Sequence, residues 1–206
     1  MLVCGLMLAS CTSGGSAAEA ANPCGIGPPS EEGALVREVL GTQDFTTKAY
    51  DSTSALADKM RRALPGIRPE KHIFYTNACR YSTGDEQADD SVTFVPGWFL
   101  RASPVPFFPG EASYDLNGAR GVSSDTRSAL IVQCDMPGDL GEQSKKVWLT
   151  ADTTFMFRPS RPTPDQAAKD RGMTLTYLMA RRVTQALGCE NTPLDKPPVV
   201  KPLPSS

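Results

Sequence analysis

Four cysteines, Cys24, Cys79, Cys134 and Cys189, divide the chain at a constant spacing of 55 residues. An even set of cysteines in an exported chain implies disulfides, and two bridges would tie distant segments into one domain. The regular spacing invites an internal repeat, but the flanks reject it. Cys24 sits beside Gly25 and Gly27, Cys79 and Cys134 lie in strand-like runs, and Cys189 follows a helical stretch. Of the three connectivities, Cys24–Cys79 with Cys134–Cys189 is favoured, because it pins each end of the domain to a central strand. Cys79–Cys134 with Cys24–Cys189 is the second choice. Zinc binding competes for the same thiols, but no CxxC or CxxH spacing occurs.

The other two of the six cysteines, Cys4 and Cys11, lie in a segment of different character. Residues 2–9 are apolar yet too short to span a bilayer, which takes about 20 apolar residues. Leu8-Ala9-Ser10-Cys11 then follows the pattern at which an exported bacterial protein is cut before a cysteine that receives a diacylglycerol. No positive charge precedes the apolar run, a departure from the usual signal. Residues 11–23 are rich in Gly, Ser and Ala and lack apolar periodicity, so they read as a flexible linker spanning about 20 Å on average. Residues 1–10 therefore read as a lipoprotein signal peptide and Cys11 as the lipid attachment site. Two acyl chains anchor stably where one anchors marginally.

Residues 24–190 are the size of one domain with a real core. The net charge of −2 gives no electrostatic case for nucleic acid. Residues 31–40 and 53–64 show helical spacing, the first carrying Val36, Val39 and Leu40, the second Leu56, Met60 and Leu64. Lys59, Arg61 and Arg62 suit the C-terminal dipole of that second helix. Four strand-like runs follow, at 72–82, 91–101, 127–135 and 146–158, and pair naturally as two antiparallel hairpins. Pro96-Gly97 implies a bulge or an edge in the second run. A long helix ends at Gly188. Thr163 would be its N-cap, Pro164 its first residue and Gln166 the partner in a capping box. Gly172 inside it suggests close helix-on-sheet packing. The fold class is α+β: an antiparallel sheet of about four strands, with two short N-terminal helices and one long C-terminal helix packed on it. Residues 191–206 contain five prolines and should be extended or disordered chain.

Chemistry is sparsely marked. One histidine, His72, would have to serve any Ser-His-Asp or Cys-His set, and no nucleophile elbow occurs. Asp85, Glu86, Asp89 and Asp90 in one connector, and Asp135 with Asp139 in another, lack the EF-hand pattern and read as solvated loops. No metal-ligand set or cofactor motif is present. The connector Ala102 to Asp125 is long for a compact domain, and long loops are often functional. Trp98, Phe107, Phe108, Tyr114, Asp115 and Asn117 on or beside it form the candidate ligand or partner surface; alternatively the rings cover one end of the sheet. Asn117-Gly118 is a strong turn signal that would let Tyr114-Asp115-Leu116 open a short added hairpin.

Leu8-Ala9-Ser10-Cys11, the spacer, Asn22-Pro23-Cys24 and the later Cys79 together resemble the small lipoproteins that actinobacteria export, many of unknown function. That resemblance implies an extracytoplasmic, disulfide-bonded α+β domain and transfers no catalytic residues. The expected role is a non-catalytic binding or interaction module of the cell envelope, lipid-anchored on the extracytoplasmic face of the membrane. Its partner would be an envelope protein or a small ligand. The rivals are a small envelope hydrolase using carboxylates in a cleft, and a purely structural envelope protein.

Overall fold

A computed structural model describes residues 24–27, 30–84, 90–104, 111–157 and 165–204. The signal peptide, Cys11 and the linker lie outside the described residues, as do Phe107, Phe108, Asp85, Glu86, Asp89, Thr163 and Pro164. The α+β class and the antiparallel pairing are as expected, but among the described residues the sheet has eight strands rather than about four. These are β1 (Thr46–Ala49), β2 (Ile73–Tyr75), β3 (Cys79–Ser82), β4 (Ser91–Leu100), β5 (Ala112–Leu116), β6 (Ala119–Ser123), β7 (Arg127–Val132) and β8 (Val147–Met156). Their order is β1-β3-β4-β8-β7-β6-β5, with β2 also on β4. Four helices, α1 (Glu31–Leu40), α2 (Thr53–Ala63), the single-turn α3 (Gly141–Ser144) and α4 (Gln166–Leu187), are present among the described residues.

Three physical causes account for the extra strands. The expected strand 72–82 is interrupted, because Tyr75 faces Gly97 while Cys79 faces Phe94. The β2–β3 side thus carries one more residue than β4 over the same stretch, which is a bulge. Pro96 shows why it is tolerated there. Its carbonyl accepts from Thr76 N at 3.1 Å, so its missing N–H faces the bulge and leaves the long β4–β8 ladder intact. Next, the connector 102–125 is not mainly a loop: β5 and β6 form the added hairpin. Asn117 and Gly118 have φ of 55° and 87°, the left-handed pair that a two-residue hairpin turn requires. Finally, β1 is exposed at all four positions, so its sequence carries no apolar alternation to announce it.

Helix α4 lies on one sheet face, with α1 and α2 beside it. Gly172 is its point of closest approach, since a Cβ there would sit 2.9 Å from both Ser128 Oγ and Phe155 Cζ. Thr176 Oγ1 bonds Thr153 Oγ1 on β8 at 2.8 Å. The helix is buried beyond a single stripe, with Met173, Thr176 and Tyr177 covered as well, because neighbours pack on several of its sides. Its N-cap is Asp165, whose carboxylate accepts from Ala168 N at 2.8 Å, rather than the expected Thr163. At the other end Arg61 of α2 donates to Ala186 O and Leu187 O, at 3.0 and 3.1 Å. Its guanidinium therefore satisfies the last carbonyls of α4 rather than only its own helix dipole.

Both favoured disulfides are present, Cys24–Cys79 and Cys134–Cys189. The described part of the C-terminal segment is extended, one of the two expected states, and it is docked on the domain. Leu194 is buried, Tyr177 OH donates to Lys196 O at 3.0 Å, and Leu203 N donates to Ser113 O on β5 at 2.7 Å. The prolines keep this segment extended while it docks along the β5 edge, the kind of coverage that blunts an open strand. Among the described residues no helix is long and apolar enough to cross a membrane.

Candidate functional site

Strand alternation assigns each side chain to a face. Trp98, Leu149, Leu130 and Tyr114 point to the helices, whereas the opposite face receives none of α1, α2 or α4. Registers align Asp115, Arg120, Ile131, Thr150, Gly97 and Tyr75 in one row across that outer face. The next rows bring in Asp152 and Trp148 on β8 and Arg127 on β7.

Two polar clusters occupy this face. In the first, Arg127 Nε donates to Asp152 Oδ1 at 2.5 Å, and Thr150 Oγ1 reaches Asp152 Oδ2 at 3.4 Å. The Tyr75 ring crosses Gly97 toward them: a Cβ on Gly97 would lie 2.5 Å from Tyr75 Cδ1. Burial, reinforced by the charge of Asp152, pushes the Tyr75 phenol above its ordinary range. Burial opposes the charge on Arg127, yet the hydrogen bond and charge of Asp152 hold its pKa above the usual value. This cluster is closed on itself, because its charges are already matched.

The second cluster is open. Arg101, in the turn after β4, places Cζ 3.7 Å from the centroid of the Trp148 ring, and Arg120 of β6 places Cζ 5.6 Å from the same ring. Both arginines are exposed and Trp148 is half-buried. Among the described residues neither guanidinium has an ion-pair partner, and the indole N–H donates to no protein acceptor. Asp115 stands opposite Arg120 in register but forms no ion pair with it. The guanidinium turns to the indole instead. The Lys146 carbonyl accepts from Arg101 N at 3.0 Å, which ties this turn to the start of β8.

The expected surface is thus dispersed. Trp98 is fully buried and donates from Nε1 to Met60 O at 2.9 Å, tying β4 to α2. Tyr114 is buried too, its hydroxyl bonded to Asp170 Oδ1 at 2.8 Å. Asn117 is exposed and latches the C-terminal segment through Pro197 O at 3.3 Å. Of the described members of that surface, only Asp115 adjoins the open cluster. His72 is exposed and meets Phe99 edge-on, with centroids 6.2 Å apart. Among the described residues no group of three or more His, Cys, Asp or Glu could hold a metal ion. Arg101, Arg120 and Trp148 escape sequence reasoning because three separate elements supply them. The one available signal is the alternation of Val147, Trp148 and Leu149, which turns the indole away from the core. No family model, no curated protein and no solved structure matches this chain.

Proposed function

We propose that the chain is a lipoprotein, anchored through Cys11 on the extracytoplasmic face of the cell membrane, whose domain is a non-catalytic binding module of the envelope. Two disulfides, each closing 55 residues, support an oxidising compartment. The apolar N-terminus, Leu8-Ala9-Ser10-Cys11 and the spacer support the anchor. The observation that carries the binding reading is the Arg101–Trp148–Arg120 cluster, in which exposed donors and an aromatic ring gather with no carboxylate of the described chain to use them. Arg101 touches the ring and Arg120 lies within cation–π distance of it, a gathering of positive charge that invites an acceptor. The hydrolase alternative needs a pair of carboxyl groups with roles to play. Asp152, the buried carboxylate of the outer face, has both oxygens engaged, by Arg127 and Thr150.

Two measurements test this reading. Membrane fractionation of the wild type against Cys11→Ala reports the anchor; retention of the variant in the membrane fraction would overturn it. A thermal-shift screen of sugars, peptides and anionic envelope fragments should yield a compound that raises Tm in the wild type but not in Trp148→Ala. Stabilisers indifferent to Trp148 would remove this cluster as the binding site.

A further inference from the structure

The open cluster has a definite chemical preference, and the geometry points to an oxyanion subsite: Arg101 and Arg120, held on Trp148, receive a phosphoryl or carboxylate group of the ligand. This rests on the binding-module reading and names the ligand chemistry of the same site.

The argument starts from the ring. A guanidinium stacked on an indole is held by its face, which leaves its in-plane N–H donors pointing outward. Arg101, at 3.7 Å from the ring centroid, occupies a face of Trp148 at contact distance. That face is therefore closed to the sugar stacking that exposed tryptophans often serve. What the cluster offers instead is hydrogen-bond donors: two guanidinium edges and the indole N–H, none of them used by a protein acceptor among the described residues. Two cations gathered on one ring repel each other. A ligand with at least two acceptor oxygens and a negative charge satisfies the donors and relieves the repulsion together.

The rest of the face sharpens the assignment. Arg127, a third arginine on the same face, is neutralised by Asp152 at 2.5 Å. Among the described residues a carboxylate thus partners Arg127, while none pairs with Arg101 or Arg120. Asp115 lies opposite Arg120 without pairing to it, so it acts as a negative neighbour that tempers anion affinity. This gives the subsite two variants of opposite sign: losing an arginine weakens the anion, and losing the Asp115 charge tightens it.

The test uses the full chain carrying Cys11→Ala, so that no acyl group is attached. The protein has two tryptophans, which give two indole N–H resonances in a nitrogen–proton spectrum. The Trp98 indole N–H is buried against Met60 O, so it is the internal control. Inorganic phosphate and glucuronate are titrated separately at constant ionic strength set with chloride. Saturable movement of the Trp148 resonance with either probe, and not of Trp98, is expected, and the responding probe distinguishes phosphoryl from carboxylate. Arg101→Gln with Arg120→Gln should weaken binding at least about tenfold. Asp115→Asn should tighten it roughly two- to five-fold. Movement equal to that from chloride alone, no movement with either probe, or a response that survives loss of both arginines would overturn the subsite. In that event a neutral ligand from the thermal-shift screen that still needs Trp148 would leave the binding-module reading standing.

Discussion

Arg127 Nε on β7 lies 2.5 Å from Asp152 Oδ1 on β8, on the sheet face without the long helices. Both side chains are largely covered, at 23% and 12% exposure. Removing one partner of a fully buried pair costs about 3–5 kcal/mol, and of an exposed pair less than about 1. Asp152→Ala should fall between, at about 2 kcal/mol in urea unfolding, and Arg127→Met should cost at least as much, because it leaves the more deeply covered Asp152 carboxylate without its partner. Asp152→Ala should also lower the Tyr75 pKa, since the Asp152 charge helps raise it. Ultraviolet titration of the phenols reads that shift, and an unchanged Tyr75 would break the link between the two.

Gly172 makes a second test, of packing rather than charge. Replacing a mid-helix glycine by alanine normally gains about 1 kcal/mol. Here the new methyl would meet Ser128 Oγ and Phe155 Cζ at 2.9 Å, and overpacking of this kind costs about 1–3 kcal/mol. Gly172→Ala should therefore lower Tm despite its better propensity. Adding Ser128→Ala should recover part of the loss, because it removes one of the two contacts. A stabilised Gly172→Ala would mean that α4 can lift from the sheet at little cost.

What the sequence made legible follows periodicity and turn chemistry. Alternating runs announced β4, β7 and β8, helical spacing announced α1, α2 and α4, and Gly172 marked its own close approach. Asn117-Gly118 announced a turn whose strands carry Ser113, Asp115 and Arg120 outward, so the hairpin has only a weak apolar signature. β1 is exposed throughout and had none. The aromatic rings allowed two readings, a partner surface or cover for one end of the sheet, and Trp98 and Tyr114 follow the second: each is buried with an inward hydrogen-bond partner, Met60 O and Asp170 Oδ1, that no local pattern encodes. The open cluster joins residues from β6, β8 and the end of β4, and only the register that aligns those strands brings them together.

Glu32 of α1 and Arg182 of α4 form an ion pair between these helices, at 2.8 Å. Burial alone would raise the Glu32 pKa, but the hydrogen bond and charge of Arg182 outweigh it and hold the carboxyl below its ordinary 4.5. The folded chain thus takes up this proton less readily than the unfolded chain. The stabilisation is complete above about pH 4.5 and is lost as pH falls through the lower folded value. The pair is a quarter exposed on each side, so its contribution should be less than about 1 kcal/mol. Wild type should exceed Glu32→Gln in urea unfolding at neutral pH and converge with it toward about pH 3. A gap that persists in acid would assign the difference to packing.

Leu194 carries the last test, because it separates a docked C-terminal segment from a loose one. Its φ is 63°, a left-handed conformation that leucine adopts at a cost of about 1 kcal/mol or more. Its side chain is nonetheless buried at 2% exposure, so apolar burial outweighs the backbone strain. Leu194→Ala keeps the strain and discards the burial, and should cost about 2–4 kcal/mol. Leu194→Gly discards both, so it should be no worse than alanine, the reverse of the usual order. Ending the chain at Glu190 removes Leu194 together with the acceptors Lys196 O and Pro197 O that hold Tyr177 and Asn117, and should cost at least as much. Urea unfolding of the three variants reads these differences. Wild-type stability in the truncated chain would mean that the segment rests on the domain without holding it, and would leave the strain at Leu194 without compensation.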